Sequence, residues 1–219
     1  MGYDVLLFDL DGTLTESGPG IMHSAAWALE QLGVPVGEPE LLRRFVGPPL
    51  SDTFQNCYGV PPEQVEEAIR LYRVWYNDHG GIYESEPYPG IVELLKELNR
   101  RGKRLMVATS KPLPLAEVVL DHWGLTEHFE AVFGGTMDEK GCKKSLVVKQ
   151  ALDCCGDSAA QGRVLMVGDR EHDIFGAHEN AIPCAGVLWG YGSQEEFAAA
   201  GAEYIVKDCA ELLELAGGN

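Results

Sequence analysis

The chain has 219 residues, enough to bury one large core or a core with a smaller insert. Acidic residues outnumber basic ones 34 to 17, and the formal net charge of −17 argues against a nucleic acid polymer or a membrane surface as partner. Six cysteines without a CxxC pair, no signal peptide and no apolar run of membrane length predict a reduced, cytoplasmic protein, which we expect to be a monomer or a homodimer.

Short apolar runs of strand length recur along the chain, separated by segments with helical periodicity. The predicted strands lie at residues 5–8, 105–108, 131–133, 164–167, 185–188 and 204–206. The predicted helices lie at residues 91–101, 114–123, 144–155, 172–180, 193–200 and 208–215. Apolar strands that alternate with helices are typical of a parallel sheet covered on both faces, so we predict an α/β, doubly wound fold.

The segment between the first two predicted strands is far longer than one crossover needs. It carries two apolar helical stripes, formed by Ile21, Met22, Ala25, Ala28, Leu29 and Leu32 and by Val65, Ala68, Ile69, Tyr72, Trp75 and Tyr76. We therefore predict a small all-α cap domain at residues 16–87, inserted after the first strand, and an α/β core at residues 1–15 and 88–219. Linkers at 15–20 and 84–90, both containing Pro and Gly, form a predicted hinge.

Polar side chains follow four strands of the predicted sheet, at the edge where an open parallel sheet binds its ligand. They are Asp9, Asp11, Thr109, Ser110, Lys144, Asp169 and Asp173. Carboxylates this close repel one another unless a cation lies among them, and Mg²⁺ prefers carboxylate, water and phosphate oxygens. The pattern therefore predicts a magnesium site beside which Asp9 attacks phosphorus and Asp11 transfers protons. Thr109, Ser110 and Lys144 would bind the transferring phosphoryl group.

Four motifs together resemble those of the haloacid dehalogenase superfamily. They are DLDGT at 9–13, ATSKP at 108–112, the lysine at 144 and GDREHD at 168–173. The helical insert is similar to that superfamily's C1 cap, and the resemblance covers essentially the whole chain. It implies that Asp9 is the nucleophile and Asp11 the general acid and base. It also implies metal contacts from Asp9, the Asp11 backbone carbonyl and Asp169, with Asp173 as an auxiliary residue.

Further stretches resemble the phosphoglycolate phosphatase group, which includes members described as 5'-nucleotidases. They are FVGPPL at 45–50, YPGIVELL at 88–95 and the extended fourth motif at 167–177. An aspartate at position 11 fits phosphate transfer. The lysine region reads GCKKSLVV, so Lys143 competes with Lys144, and we choose Lys144 because it directly starts the predicted helix. In the cap, Arg44 and Gly47 are candidate substrate contacts.

The resulting prediction is a magnesium-dependent phosphatase that hydrolyses a small phosphomonoester through an aspartyl phosphate and is phosphoglycolate phosphatase-like. Three alternatives stay open: a 5'-nucleotidase of the same group, a β-phosphoglucomutase-like phosphomutase, and a non-catalytic phosphate-binding regulatory module.

Overall fold

The computed structural model describes residues 2–138, 141–160 and 162–217. Its strands are β1 (Val5–Phe8), β2 (Thr15–Glu16), β3 (Glu86–Pro87), β4 (Arg104–Pro112), β5 (Ala131–Gly135), β6 (Val164–Gly168), β7 (Cys184–Val187) and β8 (Tyr204–Val206). Six of them form one parallel sheet in the order β5-β4-β1-β6-β7-β8. The first strand lies near the centre of the sheet, because its continuous apolar run is buried on both faces.

Helices cover both faces of the sheet and form the insert. They are α1 (Gly18–Gln31), α2 (Pro39–Leu42), α3 (Leu50–Asn56), α4 (Pro62–Arg73), α5 (Ile91–Arg100), α6 (Leu113–His122), α7 (Lys144–Asp153), α8 (Asp157–Ala160), α9 (Glu171–His178), α10 (Gln194–Ala200) and α11 (Cys209–Ala216). Within the described ranges, no helix combines the length and apolar character needed to cross a bilayer. The predicted α/β, doubly wound fold with a helical cap after the first strand is confirmed.

The side chains of β1 alternate between two apolar clusters, one on each face of the sheet. Val5 and Leu7 pack with the apolar faces of α7, α9 and α10. Leu6 and Phe8 belong to a cluster that includes α5, α6 and α11 and continues into the cap helices α1 and α4. Buried apolar contact is therefore continuous from the sheet into the cap, which we define as the segment from α1 to the short turn at Gly81–Tyr83.

The two connections between the sheet and the cap pair with each other. Strands β2 and β3 are antiparallel, with Thr15 opposite Pro87 and Glu16 opposite Glu86. Glu16 also accepts hydrogen bonds from the hydroxyl groups of Tyr88, at 3.0 Å, and Tyr191. The predicted domain boundaries fall on this short ladder, and the division itself stays a prediction.

Strand β4 is longer than the predicted segment 105–108. It continues to Pro112, and its register against β5 becomes irregular between Ala108 and Pro112. The segment ATSKP has neither apolar–polar alternation nor a continuous apolar run, so its sequence does not predict a strand. The extension carries Thr109, Ser110 and Lys111 beyond the regular sheet toward the cap.

Candidate active site

All six charged side chains that the described part of the chain buries lie at one end of the sheet. They are Asp9, Asp11, Lys111, Lys144, Asp169 and Asp173. Two follow β1, two follow β6, one belongs to the extension of β4, and one begins α7. They meet because the carboxyl ends of parallel strands share one edge of the sheet.

Lys144 joins two of the carboxylates. Its Nζ atom lies 2.6 Å from Asp9 Oδ1 and 2.8 Å from Asp173 Oδ1, and it donates a hydrogen bond to the Ala108 carbonyl at 3.1 Å. Burial alone lowers the pKa of Lys144, but the charges of Asp173 and Asp9 outweigh it and hold that pKa above its usual value. Burial raises the pKa of Asp9 to about 6, against the opposing effect of Lys144. At pH 7 Asp9 is therefore ionised and Lys144 is charged.

A set of three carboxylates has the geometry of a metal site. Oxygen atoms of Asp9, Asp169 and Asp173 lie within 4.8 Å of one another. Burial, and then the charges of Asp173 and Asp9, raises the pKa of Asp169 well above its ordinary value, and a cation among the three carboxylates would relieve this repulsion. With all four buried carboxylates ionised, these groups and the two buried lysines carry a net charge of −2. One divalent cation would balance this charge, so the residues fit a divalent metal with oxygen ligands.

Each carboxylate oxygen of Asp169 has a hydrogen-bond donor. The Thr13 hydroxyl lies 3.3 Å from Oδ1, and the Tyr191 backbone N–H donates to Oδ2 at 2.9 Å. Gly12 has a φ of 89°, and a Cβ atom there would lie 2.2 Å from Asp169 Oδ2. The glycine of the first motif therefore allows both the turn after β1 and the close approach of Asp169.

Two side chains donate hydrogen bonds to the carboxylate of Asp11. Lys111 Nζ lies 3.0 Å from Oδ1 and 3.1 Å from Oδ2, and the Ser17 hydroxyl donates to Oδ1 at 2.6 Å. Lys111 Nζ also donates to the hydroxyl of Tyr76, at 2.6 Å, in a π-helical turn that follows α4 in the cap. Lys111 and Tyr76 are not among the site residues predicted from the sequence. Lys111 was visible in ATSKP, but the direction of its side chain depends on the unpredicted extension of β4.

The remaining predicted residues occupy different places. Thr109 is buried and accepts a hydrogen bond from the Lys111 backbone N–H at 3.2 Å, and Ser110 is half-buried beside it. Gly47 of the cap faces the same pocket as Asp9. Lys143, by contrast, is exposed and pairs with Glu179 at 2.8 Å, so the structure brings Lys144 and not Lys143 to the carboxylates.

Three cavities formed by the described residues meet at Gly47 and Ser110. The aspartate pocket contains Asp9, Asp11, Thr109, Lys144 and Asp173. The inner cavity, about 80 Å³, lies between cap and sheet and is lined by Asp11, Lys111, Tyr72, Arg73, Tyr76 and Leu115 among others. The outer cleft, about 400 Å³, is lined on the sheet side by Lys144, His172 and Phe175. Arg44 is exposed, outside the lining of these three cavities, so this arrangement gives its predicted substrate contact no support.

Residues 6–187 match the sequence profile described as haloacid dehalogenase-like hydrolase. The chain belongs to this family. A curated 5'-nucleotidase from Pseudomonas aeruginosa is 39% identical over 215 residues, which cover 97% of this chain and 95% of that protein. The Tyrosine-protein kinase PtkA of Mycobacterium tuberculosis is 39% identical over 211 residues, 96% of this chain and 70% of that protein.

Solved structures agree with the sequence comparisons. A predicted phosphatase from Clostridium acetobutylicum superposes with a TM-score of 0.90 at 39% identity, over 98% of both chains. The predicted membership of the haloacid dehalogenase family is thus confirmed, and this family member is a phosphoric monoester hydrolase. Haloacid dehalogenase phosphatases act on small phosphate substrates and generally use a divalent metal, which Asp9, Asp169 and Asp173 could hold.

Proposed function

We propose that this enzyme is a magnesium-dependent phosphatase that hydrolyses a small phosphomonoester through an aspartyl phosphate on Asp9. The observation that supports this most strongly is the position of two carboxylates with different surroundings. Asp9 lies among Lys144 and the metal-binding carboxylates, whereas Asp11 lies at the opening of the aspartate pocket into the inner cavity. Two adjacent carboxylates can thus take the separate roles of nucleophile and proton carrier.

In the first step, an oxygen of Asp9 attacks phosphorus and the bond from phosphorus to the leaving oxygen breaks. Asp11 gives that oxygen a proton, so the product leaves as an alcohol. Thr109, Ser110 and Lys144 line the pocket and donate hydrogen bonds or positive charge to the phosphoryl oxygens. Because burial raises the pKa of Asp9 only to about 6, this carboxylate is ionised at neutral pH, as a nucleophile requires.

In the second step, water attacks the phosphorus of the aspartyl phosphate and the bond from Asp9 to phosphorus breaks. Asp11, deprotonated in the first step, takes a proton from this water, so both steps together consume one water and release an alcohol and inorganic phosphate. The cap excludes bulk water while the intermediate exists and opens to release product.

Magnesium would be held by Asp9 and Asp169, with Asp173 nearby and the Asp11 carbonyl as a further oxygen. When bound, the ion neutralises negative charge on the transferring phosphoryl group. The donors are all oxygen atoms, which favours Mg²⁺ over softer metals.

The leaving group belongs in the inner cavity, because Asp11 lines that cavity and is absent from the described lining of the outer cleft. A volume of about 80 Å³ suits a short leaving group such as glycolate. Arg73 borders the cavity, and its guanidinium group suits the free carboxylate of such a substrate. This favours phosphoglycolate among the small phosphomonoesters.

A second candidate is a 5'-nucleotidase, the name of the Pseudomonas relative. The observation that favours it is the outer cleft, which is larger and has Phe175 in its lining with 45% of the residue exposed. An exposed aromatic ring is a suitable surface for stacking a nucleobase. A nucleoside leaving group would require the cap to open further around Gly47.

The test is release of inorganic phosphate from 2-phosphoglycolate, nucleoside 5'-monophosphates and β-glucose 1-phosphate, with magnesium and with EDTA. We expect magnesium-dependent release with 2-phosphoglycolate preferred, and a preference for nucleotides would establish the second candidate instead. Turnover of β-glucose 1-phosphate only with a sugar bisphosphate would indicate a phosphomutase. Binding of phosphate without release from any ester would indicate a regulatory module.

A further inference from the structure

Lys111 is a buried lysine that links the sheet to the cap through the carboxylate of Asp11. Lys111 is 9% exposed, and its Nζ atom lies within 3.1 Å of both Asp11 carboxylate oxygens. The same Nζ atom donates to Tyr76, which belongs to the cap. No other buried lysine among the described residues joins the two parts in this way, since Lys144 contacts β1, β4 and the start of α9.

Both contacts of this lysine influence the orientation of the Asp11 carboxylate. A lysine ammonium has three donors and no fixed plane, so its position between two acceptors depends on both of them. Here one acceptor is fixed to the end of β1 and the other to the cap. Removal of the Tyr76 hydroxyl, or movement of the cap, would leave Lys111 without one of the two groups that determine its position.

The Tyr76 hydroxyl is suited to this role. Tyr76 is 2% exposed, and its ring stacks on Tyr72 with ring centroids 5.4 Å apart, so the hydroxyl has a fixed place. Burial, and then the nearby charge of Asp11, raises the pKa of Tyr76 well above its ordinary value. The hydroxyl therefore stays neutral and accepts the hydrogen bond of Lys111 without adding a charge.

We infer that Lys111 is a positioning residue that, together with Tyr76, aims the Asp11 carboxylate at the leaving oxygen in the inner cavity when the cap is docked. This inference rests on the proposed function, in which Asp11 protonates that oxygen. Lys111 thereby couples the docked cap to proton transfer. A purely structural lysine would only neutralise a buried carboxylate and would have no influence specific to the protonation of the leaving group.

The test compares two small, uncharged leaving groups of similar shape, in ethyl phosphate and 2,2,2-trifluoroethyl phosphate. Trifluoroethanol is the stronger acid, so its oxygen departs with less need for a proton. If Lys111 positions Asp11, Lys111→Met lowers kcat/KM at least about tenfold more for ethyl phosphate than for the trifluoroethyl ester, because general acids contribute roughly 10²–10⁴-fold. A lost contact with substrate or a lost structural charge lowers both values equally.

Three further variants complete the experiment. Tyr76→Phe keeps the ring and removes the hydroxyl, so it should lower kcat/KM at least about threefold more for ethyl phosphate than for the trifluoroethyl ester. Combining it with Lys111→Met should cause little further loss, because the two residues act on one carboxylate. Tyr58→Phe is the matched control, since the Tyr58 hydroxyl donates to the Val36 carbonyl elsewhere in the cap and its loss should not change the selectivity. Asp11→Asn provides the reference selectivity.

The outcomes separate the inference from the function on which it rests. Excess loss on ethyl phosphate in Asp11→Asn, Lys111→Met and Tyr76→Phe supports both. Excess loss in Asp11→Asn with equal losses on both esters in the other two variants overturns the positioning role and leaves the proposed function intact. Equal losses in Asp11→Asn itself refute the acid assignment and the inference together. If Lys111→Met fails to fold, as circular dichroism would show, Tyr76→Phe alone decides.

Discussion

Replacing Lys144 with methionine removes the ammonium group that lies between two buried carboxylates. Its Nζ atom is 2.6 Å from Asp9 and 2.8 Å from Asp173, and the side chain is 6% exposed. Removing one partner of a buried ion pair costs about 3–5 kcal/mol, because the remaining charge stays desolvated. Lys143→Met is the matched control: that lysine is next in sequence, pairs with Glu179 and has a side chain 63% exposed. Its loss should cost about 0–1 kcal/mol.

The two variants are compared by thermal unfolding in EDTA at pH 7. For a chain of this length each kcal/mol shifts Tm by roughly 2–4 °C, so Lys144→Met should lower Tm by about 6–20 °C and Lys143→Met by at most about 4 °C. Part of the loss should return in acid. Without Lys144, the folded-state pKa of Asp9 rises further above that of the unfolded chain, and the stability that is lost as pH rises through this pKa returns when Asp9 is protonated.

Magnesium provides a second check on the same variant. A divalent cation supplies the positive charge that Lys144→Met removes, so saturating Mg²⁺ should raise the Tm of this variant more than that of the wild type. Equal destabilisation of the two lysine variants, or a loss in Lys144→Met that neither acid nor Mg²⁺ reduces, would refute the charge balance described for the site.

Three other predictions follow from the site. Gly12→Ala places a Cβ atom 2.2 Å from Asp169 Oδ2 at a φ of 89°, so calorimetric titration should show Mg²⁺ affinity reduced by about 10–100-fold. In the wild type, burial raises the pKa of Asp9 to about 6 and that of Asp169 well above its ordinary value, so below about pH 6 the metal must displace at least one proton and Mg²⁺ affinity should fall by at least about tenfold per pH unit; constant affinity between about pH 5 and 7 contradicts this. Arg73→Ala should raise KM for 2-phosphoglycolate about tenfold or more, whereas Arg44→Ala, at an exposed residue, should change it less than about twofold. Equal effects of the two variants would contradict the assignment of Arg73 as a substrate contact in the inner cavity.

The fold could be predicted because strand and helix periods are local properties of the sequence. The apolar run of β1 and the helical stripe that ends at Tyr76 each indicate their own structure without knowledge of the rest of the chain. The cluster of carboxylates could also be predicted, because Asp9 and Asp169 each directly follow a strand, and parallel strands place such residues at one edge.

The contacts between cap and sheet could not be predicted in this way. Lys111 contacts Asp11 and Tyr76, residues 100 and 35 positions away, through a strand extension that has no apolar alternation. The prediction of Arg44 as a substrate contact rests on its position next to FVGPPL in the sequence. Which arginine borders the inner cavity depends instead on the orientation of α4, whose last residue is Arg73.

The most direct test of the account is chemical trapping of the covalent intermediate. Enzyme mixed with 2-phosphoglycolate and Mg²⁺ is quenched during turnover, reduced with borohydride and digested for peptide mass spectrometry. An aspartyl phosphate at residue 9 predicts that Asp9 is reduced to homoserine, only with substrate and not in Asp9→Asn. Substrate turnover with unmodified Asp9, or with the label on another aspartate, would contradict the assignment of Asp9 as the nucleophile.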